Sequence, residues 1–330
     1  MNNFGRLFRI GIFGESHGPY VGITIDGCPP GIRLAPEDFL EDLNRRKSGA
    51  SGTTPRIEED APRIISGVFE QKTTGAPLTI LFENRNVRSA DYDFVKETPR
   101  PGHADFVARK KYRGFNDYRG GGHFSGRLTL GLVSAGVIAK KMLTTMKIHA
   151  RLTEAGGSED IDGAIRQAQA ENDSIGGIVE CRVTGVPIGL GEPFFDSLES
   201  VLSHGIFAIP AIKGIEFGSG FMAARMKGSA HNDAIIDTEG KTKTNHAGGI
   251  NGGIANGNEL VFRVAVKPTS STARKQSTLN VKTGKLTDLE VKGRHDTCIA
   301  LRVPVVVEAV TACVLADLTL VHAAPDRASE

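Results

Sequence analysis

The sequence predicts an α+β fold in which buried helices are layered with antiparallel strands. Three observations predict it. Leu128–Met146 and Val305–Val321 are apolar or small on nearly every face, as helices covered on several sides must be. Phe8–Phe13, Tyr20–Asp26, Ile175–Val183, Ile212–Phe217, Phe221–Met226 and Glu259–Val266 read as strands, mostly with the alternation of antiparallel sheets. Strands and helices do not alternate regularly, which disfavours a doubly wound or barrel α/β fold. No Pro/Ser-rich linker or internal repeat divides the chain, so residues 1–330 read as a single domain.

The elements follow in order. Phe8–Phe13 and Tyr20–Asp26 flank the polar turn Gly14–Gly18 and are stopped by glycine. Pro36–Lys47 predicts a helix, with Pro in its first turn, apolar Phe39, Leu40 and Leu43, and Arg45, Arg46 and Lys47 crowding its end. Ile64–Phe69 and Pro77–Phe82 predict further strands. Asn84–Arg127 is polar, basic and glycine-rich with little periodicity, and uninterrupted loops beyond about 15 residues are often functional. Ile161–Ala170 reads as an exposed helix and Ser197–Ile206 as a more buried one. Ile299–Val303 reads as a strand before the last helix.

Composition excludes several classes. Among 330 residues the formal net charge is +2 and Trp is absent, which argues against a polyanion partner or an aromatic platform for nucleic acid. No run approaches the roughly 18 apolar residues of a membrane span. No secretory h-region follows Met1, so a cytoplasmic location is expected. Cys28, Cys181, Cys298 and Cys313 are scattered singly and read as reduced structural thiols. No H-x-x-x-H or H-E-x-x-H spacing calls for a metal. Gly 40 is well above the usual share of roughly 7% and points to turns and close backbone approach to ligands.

Chemistry concentrates in a few loops. The turn G-E-S-H-G places Ser16 and His17 together, a possible proton relay, although a tight turn with an exposed histidine has the same sequence. R-P-G-H-A-D sets His103 between a guanidinium and a carboxylate in a rigid loop. R-G-G-G-H-F-S-G-R, residues 119–127, leads three glycines and two bracketing arginines into the N-terminus of a buried helix, which is what an anion needs. It is neither a Walker loop nor a dinucleotide fingerprint. N-H-A-G-G-I-N-G-G, K-P-T-S-S and K-G-R-H-D, at residues 245–253, 267–271 and 292–296, add glycines, an ammonium with hydroxyls, and Asp296 beside His295. Together these loops support anion binding with acid–base chemistry.

These words, in this order, resemble the chorismate synthase family. The similarity runs from F-R-I-G-I-F-G-E-S-H-G through R-P-G-H-A-D, D-Y-R-G-G-G, D-S-I-G-G, G-L-G-E-P, N-H-A-G-G-I and K-P-T-S-S to G-R-H-D-T-C and the last helix. The resemblance implies a single-domain β-α-β sandwich, assembled as a homotetramer. It implies a 1,4-anti elimination of phosphate from 5-enolpyruvylshikimate 3-phosphate to give chorismate, dependent on reduced FMN. Position by position, it implies that His17 protonates the departing phosphate with Ser16 beside it. His103 would protonate the reduced flavin, and Asp296 would work with the flavin in removing the C6 proton. Arg45, Arg46, Arg127 and Arg294 would surround the substrate. His123, Phe124, Ser125, Ala211, Gly252, Lys267, Pro268, Thr269, Ser270, Ser271 and Arg294 would hold the flavin, with Ser125 also at the reacting centre. No nicotinamide fingerprint is present, which leaves open whether the chain reduces its own flavin with NADPH or uses an external reductant.

The chain departs from the family pattern at three places. His123-Phe124-Ser125-Gly126-Arg127 replaces the usual R-[SA]-S-A-R, the arginine that usually follows the first helix is missing near Gly52, and Pro210 stands where Asn usually precedes Ala211.

Overall fold

The computed structural model describes residues 2–49, 51–54, 58–291 and 295–323. Alternation of buried and exposed side chains builds two antiparallel sheets. The first contains β1 (Asn3–Phe4), β2 (Arg9–Gly14), β3 (Tyr20–Asp26), β4 (Arg63–Ser66) and β5 (Leu78–Glu83), ordered β1-β2-β3-β5-β4. The second contains β6 (Lys147–Ala155), β7 (Gly177–Thr184), β8 (Ile212–Phe217) and β9 (Leu260–Val266), ordered β8-β9-β7-β6. Leu78, Ile80 and Phe82 of β5 and Leu260, Phe262, Val264 and Val266 of β9 turn inward.

Helices fill the space between the sheets. The helices are α1 (Leu40–Arg46), α2 (Asp105–Lys111), α3 (Thr129–Met142), α4 (Ile161–Ala170), α5 (Leu198–Ile206) and α6 (Val303–His322); α3 and α6 form the central layer with α1 and α5 packed against them, while α2 and α4 are largely exposed. Helix α3 lies on β3, and α6 packs on α3 and on β6 and β7 of the other sheet. The architecture is therefore sheet, helices, sheet. Each fully buried Leu or Ile, such as Leu130 and Ile138, contributes about 1.5–3 kcal/mol through its burial. The α3–α6 crossing is close because residue 136 is glycine: a β-carbon there would sit 2.3 Å from that of Ala309.

Residues 6–8 are tied to α6. Asp317, 1% exposed, accepts the backbone N–H groups of Arg6, Leu7 and Phe8 at 2.9, 2.7 and 2.9 Å. Three donors satisfy a carboxylate that burial would otherwise disfavour.

Several elements differ from the sequence reading. Phe221–Met226 is not a strand; Gly220–Arg225 forms a 3₁₀ turn that follows the positive-φ Gly218 and begins at the positive-φ Gly220, with Glu216 accepting the N–H of Phe221 at 3.1 Å. Ile299–Val303 is likewise no strand: Ile299–Arg302 is a 3₁₀ turn that feeds α6, since a short apolar run has no periodicity to distinguish the two. Within Asn84–Arg127 lie α2 and 3₁₀ turns at Ser89–Lys96 and Arg119–Phe124. Residues 299–322 are long and apolar enough to cross a membrane, contrary to the sequence expectation, but most of that span is buried between the sheets. All four cysteines are buried and unpaired, and burial pushes the Cys313 thiol up to about 12.

Candidate active site

The three glycines of residues 120–122 all have positive φ, at 59°, 83° and 54°. A β-carbon at Gly120 would meet the His17 ring at 2.5 Å and Ser16 Oγ at 2.9 Å, and one at Gly121 would lie 3.3 Å from the His103 ring. The segment is thus a side-chain-free partition with one predicted histidine on each flank. Ser16 N–H donates to Gly122 O at 3.1 Å. Beyond the partition Ser125 caps the turn leading into α3, accepting from the Arg127 N–H at 3.3 Å.

Two cavities meet here. The smaller, about 240 Å³, is lined by Arg46, Lys47, Arg100, Arg127 and Arg302 against Glu58, Asp60 and Asp296. Cations outnumber carboxylates, which suits an anion. Arg46 donates through Nε to Thr129 Oγ1 at 2.7 Å and through Nη2 to Gly126 O at 2.9 Å. Burial, with Arg302 beside it, pulls the Arg46 pKa down to about 9 despite Asp60. A bound anion would relieve that cost. Arg127 donates to Asp60 at 2.9 Å, to Glu83 O at 3.2 Å, and through Nε to Asn84 Oδ1. Asp296 accepts the Thr54 N–H at 2.8 Å through Oδ1 and Arg302 Nη1 at 3.1 Å through Oδ2.

The larger cavity, about 640 Å³, shares Arg100, Gly120, Ser125, Gly126, Thr129 and Thr269 with the smaller one. One side is polar, formed by Lys267–Ser271 and His103; the other is apolar, with Ile10, Ile12, Leu128, Leu132 and Val310. Lys267 Nζ donates to Ser270 Oγ at 2.6 Å and Gly102 O at 3.1 Å, and burial followed by Lys213 lowers its pKa. Arg100 donates to both oxygens of Asp105 at 2.8 Å and to Ser271 Oγ at 3.0 Å. His103 Nδ1 lies 2.5 Å from Asp105 Oδ1. Burial works against the Asp105 charge, yet Arg100 and His103 outweigh it and hold its pKa well below the usual carboxylate range. The ring of His123 spans Gly14 O at 2.8 Å and Asn2 Oδ1 at 3.1 Å. Its Nδ1 faces a carbonyl, so that nitrogen carries the proton.

Most predicted site residues converge. Ser16, Arg46, Arg127 and Asp296 line the smaller cavity; His103, His123, Phe124, Ala211, Lys267, Pro268, Ser270 and Ser271 line the larger; Ser125 and Thr269 line both. His17 sits behind the wall made by Ser16, Gly120 and Tyr92, with Nδ1 3.1 Å from Ser89 Oγ and its ring edge-on to Tyr92. Arg45 turns away: its two terminal nitrogens grip Glu308 at 2.7 Å each, because burial of that carboxylate in α6 demands a partner. Gly252 lies in the exposed turn between Ile250–Asn251 and Ile254–Ala255 and lines neither cavity. Arg294 lies outside the described residues. Gly52 explains the missing arginine. Its φ is +84°, a β-carbon would meet Ile165 at 2.8 Å, and its carbonyl accepts the N–H groups of Thr297 and Cys298.

Sequence reasoning missed Asp60 and Arg302 as site residues and took Arg100 only as the guanidinium beside His103. For Arg302 a signal existed, a lone cation inside the apolar run I-A-L-R-V-P. Asp60 has no such signal.

A half-polar cavity opening onto a smaller arginine-set one, between two sheets, is the build of an enzyme site suited to a small anion. A family model for chorismate synthase matches residues 8–320. A chorismate synthase of Chitinophaga pinensis is 66% identical over 99% of this chain and 99% of its own length. One from Dehalococcoides mccartyi is 47% identical over 97% of this chain and 96% of its own. A crystal structure of a chorismate synthase superposes with a TM-score of 0.73 at 27% identity, covering 96% of this chain and 93% of that one. The chain belongs to the chorismate synthase family and is a lyase.

Proposed function

We propose that the chain converts 5-enolpyruvylshikimate 3-phosphate to chorismate by 1,4-anti elimination of phosphate, with reduced FMN, in aromatic amino acid biosynthesis. The observation that carries this reading is the pair of adjoining cavities, one cationic and one half-apolar, sharing Ser125 and Thr269. The residues present fit a flavin: Thr269 Oγ1 is buried with no hydrogen-bond partner among the described residues, and a buried hydroxyl needs one. Lys267, Ser270 and Ser271 would hold the polar part of the cofactor, and Leu128, Leu132 and Val310 its apolar part. The chemistry a reduced flavin supplies when bound is electron density for the breaking allylic C–O bond.

The chain's own residues do the rest. Arg46 and Arg127, both buried, offset the charge that develops on the leaving phosphate. Ser16 and His17 deliver a proton to that phosphate, and Asp296 accepts the proton lost from C6. The C6–H electron pair stays in the new diene as the C–O pair leaves with phosphate, and one proton is lost and one gained, so the elimination carries no net redox change. His103, oriented by Asp105, holds a proton on the flavin side of the partition. We further propose a cytoplasmic homotetramer without nucleic-acid or membrane partners; Phe195 and Phe221, 95% and 83% exposed, are surface that subunit contacts would cover.

The test is anaerobic incubation with FMN, dithionite and 5-enolpyruvylshikimate 3-phosphate. Chorismate and inorganic phosphate should appear in equal amounts, and the absence of both sinks the reading.

A further inference from the structure

Arg302 ends the 3₁₀ turn that leads into α6, lines the smaller cavity, and has a side chain only 20% exposed. Its guanidinium reaches in two directions. Nε donates to the backbone carbonyl of Arg46 at 2.8 Å, and Nη1 donates to Asp296, 3.1 Å from Oδ2 and 3.4 Å from Oδ1.

Each partner is also fixed on its far side. Asp296 Oδ1 accepts the Thr54 N–H at 2.8 Å. The end of α1 is fastened to α6 by Arg45 on Glu308, at 2.7 Å through both nitrogens. Arg46 itself reaches Thr129 Oγ1 and Gly126 O, at the entrance to α3. A guanidinium is planar and rigid, so the directions of its Nε and Nη1 donors are set together. No flexible ammonium shares that property.

We infer that Arg302 is a positioning residue for the elimination, and that its guanidinium sets the spacing between the anion-binding Arg46 and the carboxylate of Asp296. The inference rests on the proposed function. A 1,4-elimination needs the departing group and the proton acceptor at opposite ends of one small ring, both in register in the same complex. A misplacement of about 1 Å can cost on the order of 10²-fold in rate. Arg302 ties both ends to one rigid group at the start of the core helix.

The test compares wild type, Arg302→Lys and Arg302→Gln, each also combined with Asp296→Asn. Arg302→Lys keeps the charge but cannot bridge both partners, so kcat should fall by about 10-fold or more, with KM moving much less. Flavin affinity, read by fluorescence titration, and melting temperature should stay near wild type. Arg302→Gln should lose more of kcat. Because Arg302 acts through Asp296, its loss should cost little further in the Asp296→Asn background. A role in stability alone would lower the melting temperature and leave kcat per folded molecule intact, and that result overturns the inference. So does an Arg302→Lys enzyme with wild-type kcat and KM, or losses that simply multiply with Asp296→Asn. If Arg302→Gln does not fold, Arg302→Lys decides by the same criteria. A wild type that makes no chorismate would sink the proposed function and this inference together; an active wild type beside an unimpaired Arg302→Lys sinks the inference alone.

Discussion

A β-carbon on Gly120 would lie 2.6 Å from Nε2 of His17. The imidazole is therefore held in place by the lack of a side chain above it, and Gly120 also needs its φ of 59°.

Gly120→Ala should push His17 and Ser16 out of register. The expected loss is on the order of 10²-fold in kcat, with flavin affinity moved far less. Steady-state kinetics and a flavin titration on the folded variant check this. Equal kcat for the two proteins would refute the packing argument.

Arg45 and Arg46 should separate cleanly. Arg46→Met removes charged hydrogen bonds worth about 1.5–3 kcal/mol at the anion site, so substrate KM should rise roughly 10–100-fold. Arg45→Met leaves the buried Glu308 with Lys140 at 3.1 Å and the Ala150 N–H at 2.9 Å. It should lower stability by about 1–3 kcal/mol and move KM only a few-fold. Urea melts and KM measured side by side test the split.

Acid stability should report on Asp105. Its folded pKa is depressed, so its contribution is complete above the unfolded value of about 3.9 and is lost as pH falls below that toward the folded value. Asp105→Asn, which leaves Arg100 without its buried counter-ion, should cost about 3 kcal/mol at pH 7. The gap between variant and wild type should narrow below pH 4, as denaturation series at several pH values would reveal. A gap independent of pH contradicts the assignment.

The α3–α6 crossing offers a paired test. Gly136→Ala should destabilise by about 1–3 kcal/mol through overpacking. Ala309→Gly in the same chain should recover part of that loss by vacating the contested space, although a helical glycine itself costs about 1 kcal/mol. Thermal melts of the two single variants and the double variant give the coupling.

How much of this was legible depends on what kind of signal each segment carried. Ile161–Ala170 has a clean amphipathic period and a capping Asp160, and its helix bounds match the reading. The all-round apolar α3 and α6 announced a layered core. Strand β6 escaped notice because the reading carried the α3 pattern on to Met146, and Lys147–Ala155 is polar along much of one face. At the site, glycine, histidine and hydroxyl clusters were visible as words in the sequence. Asp60 acts through Arg127, 67 positions away, a separation that leaves no local pattern. Arg100 and Arg302 sat in readable words, but their reach to Ser271 and to Arg46, 171 and 256 positions away, did not show there. Arg45 misled for the converse reason. Side chains of adjacent helical residues point about 100° apart, so only one of two neighbouring arginines can face the cavity.

Asp317 holding the N–H groups of Arg6, Leu7 and Phe8 has a consequence for how the molecule is made. The helix that supplies this acceptor carries it out of the ribosome more than 300 residues after Arg6, Leu7 and Phe8. Until it arrives, α3, which lies on the first sheet, has no partner for the face that meets Ala309, and Arg6, Leu7 and Phe8 lack their acceptor. Native contacts spanning more than 300 positions slow folding and leave apolar surface open to aggregation. Synthesis should therefore yield an aggregation-prone chain until α6 emerges, and chains truncated before α6 should depend on chaperones rather than fold by halves.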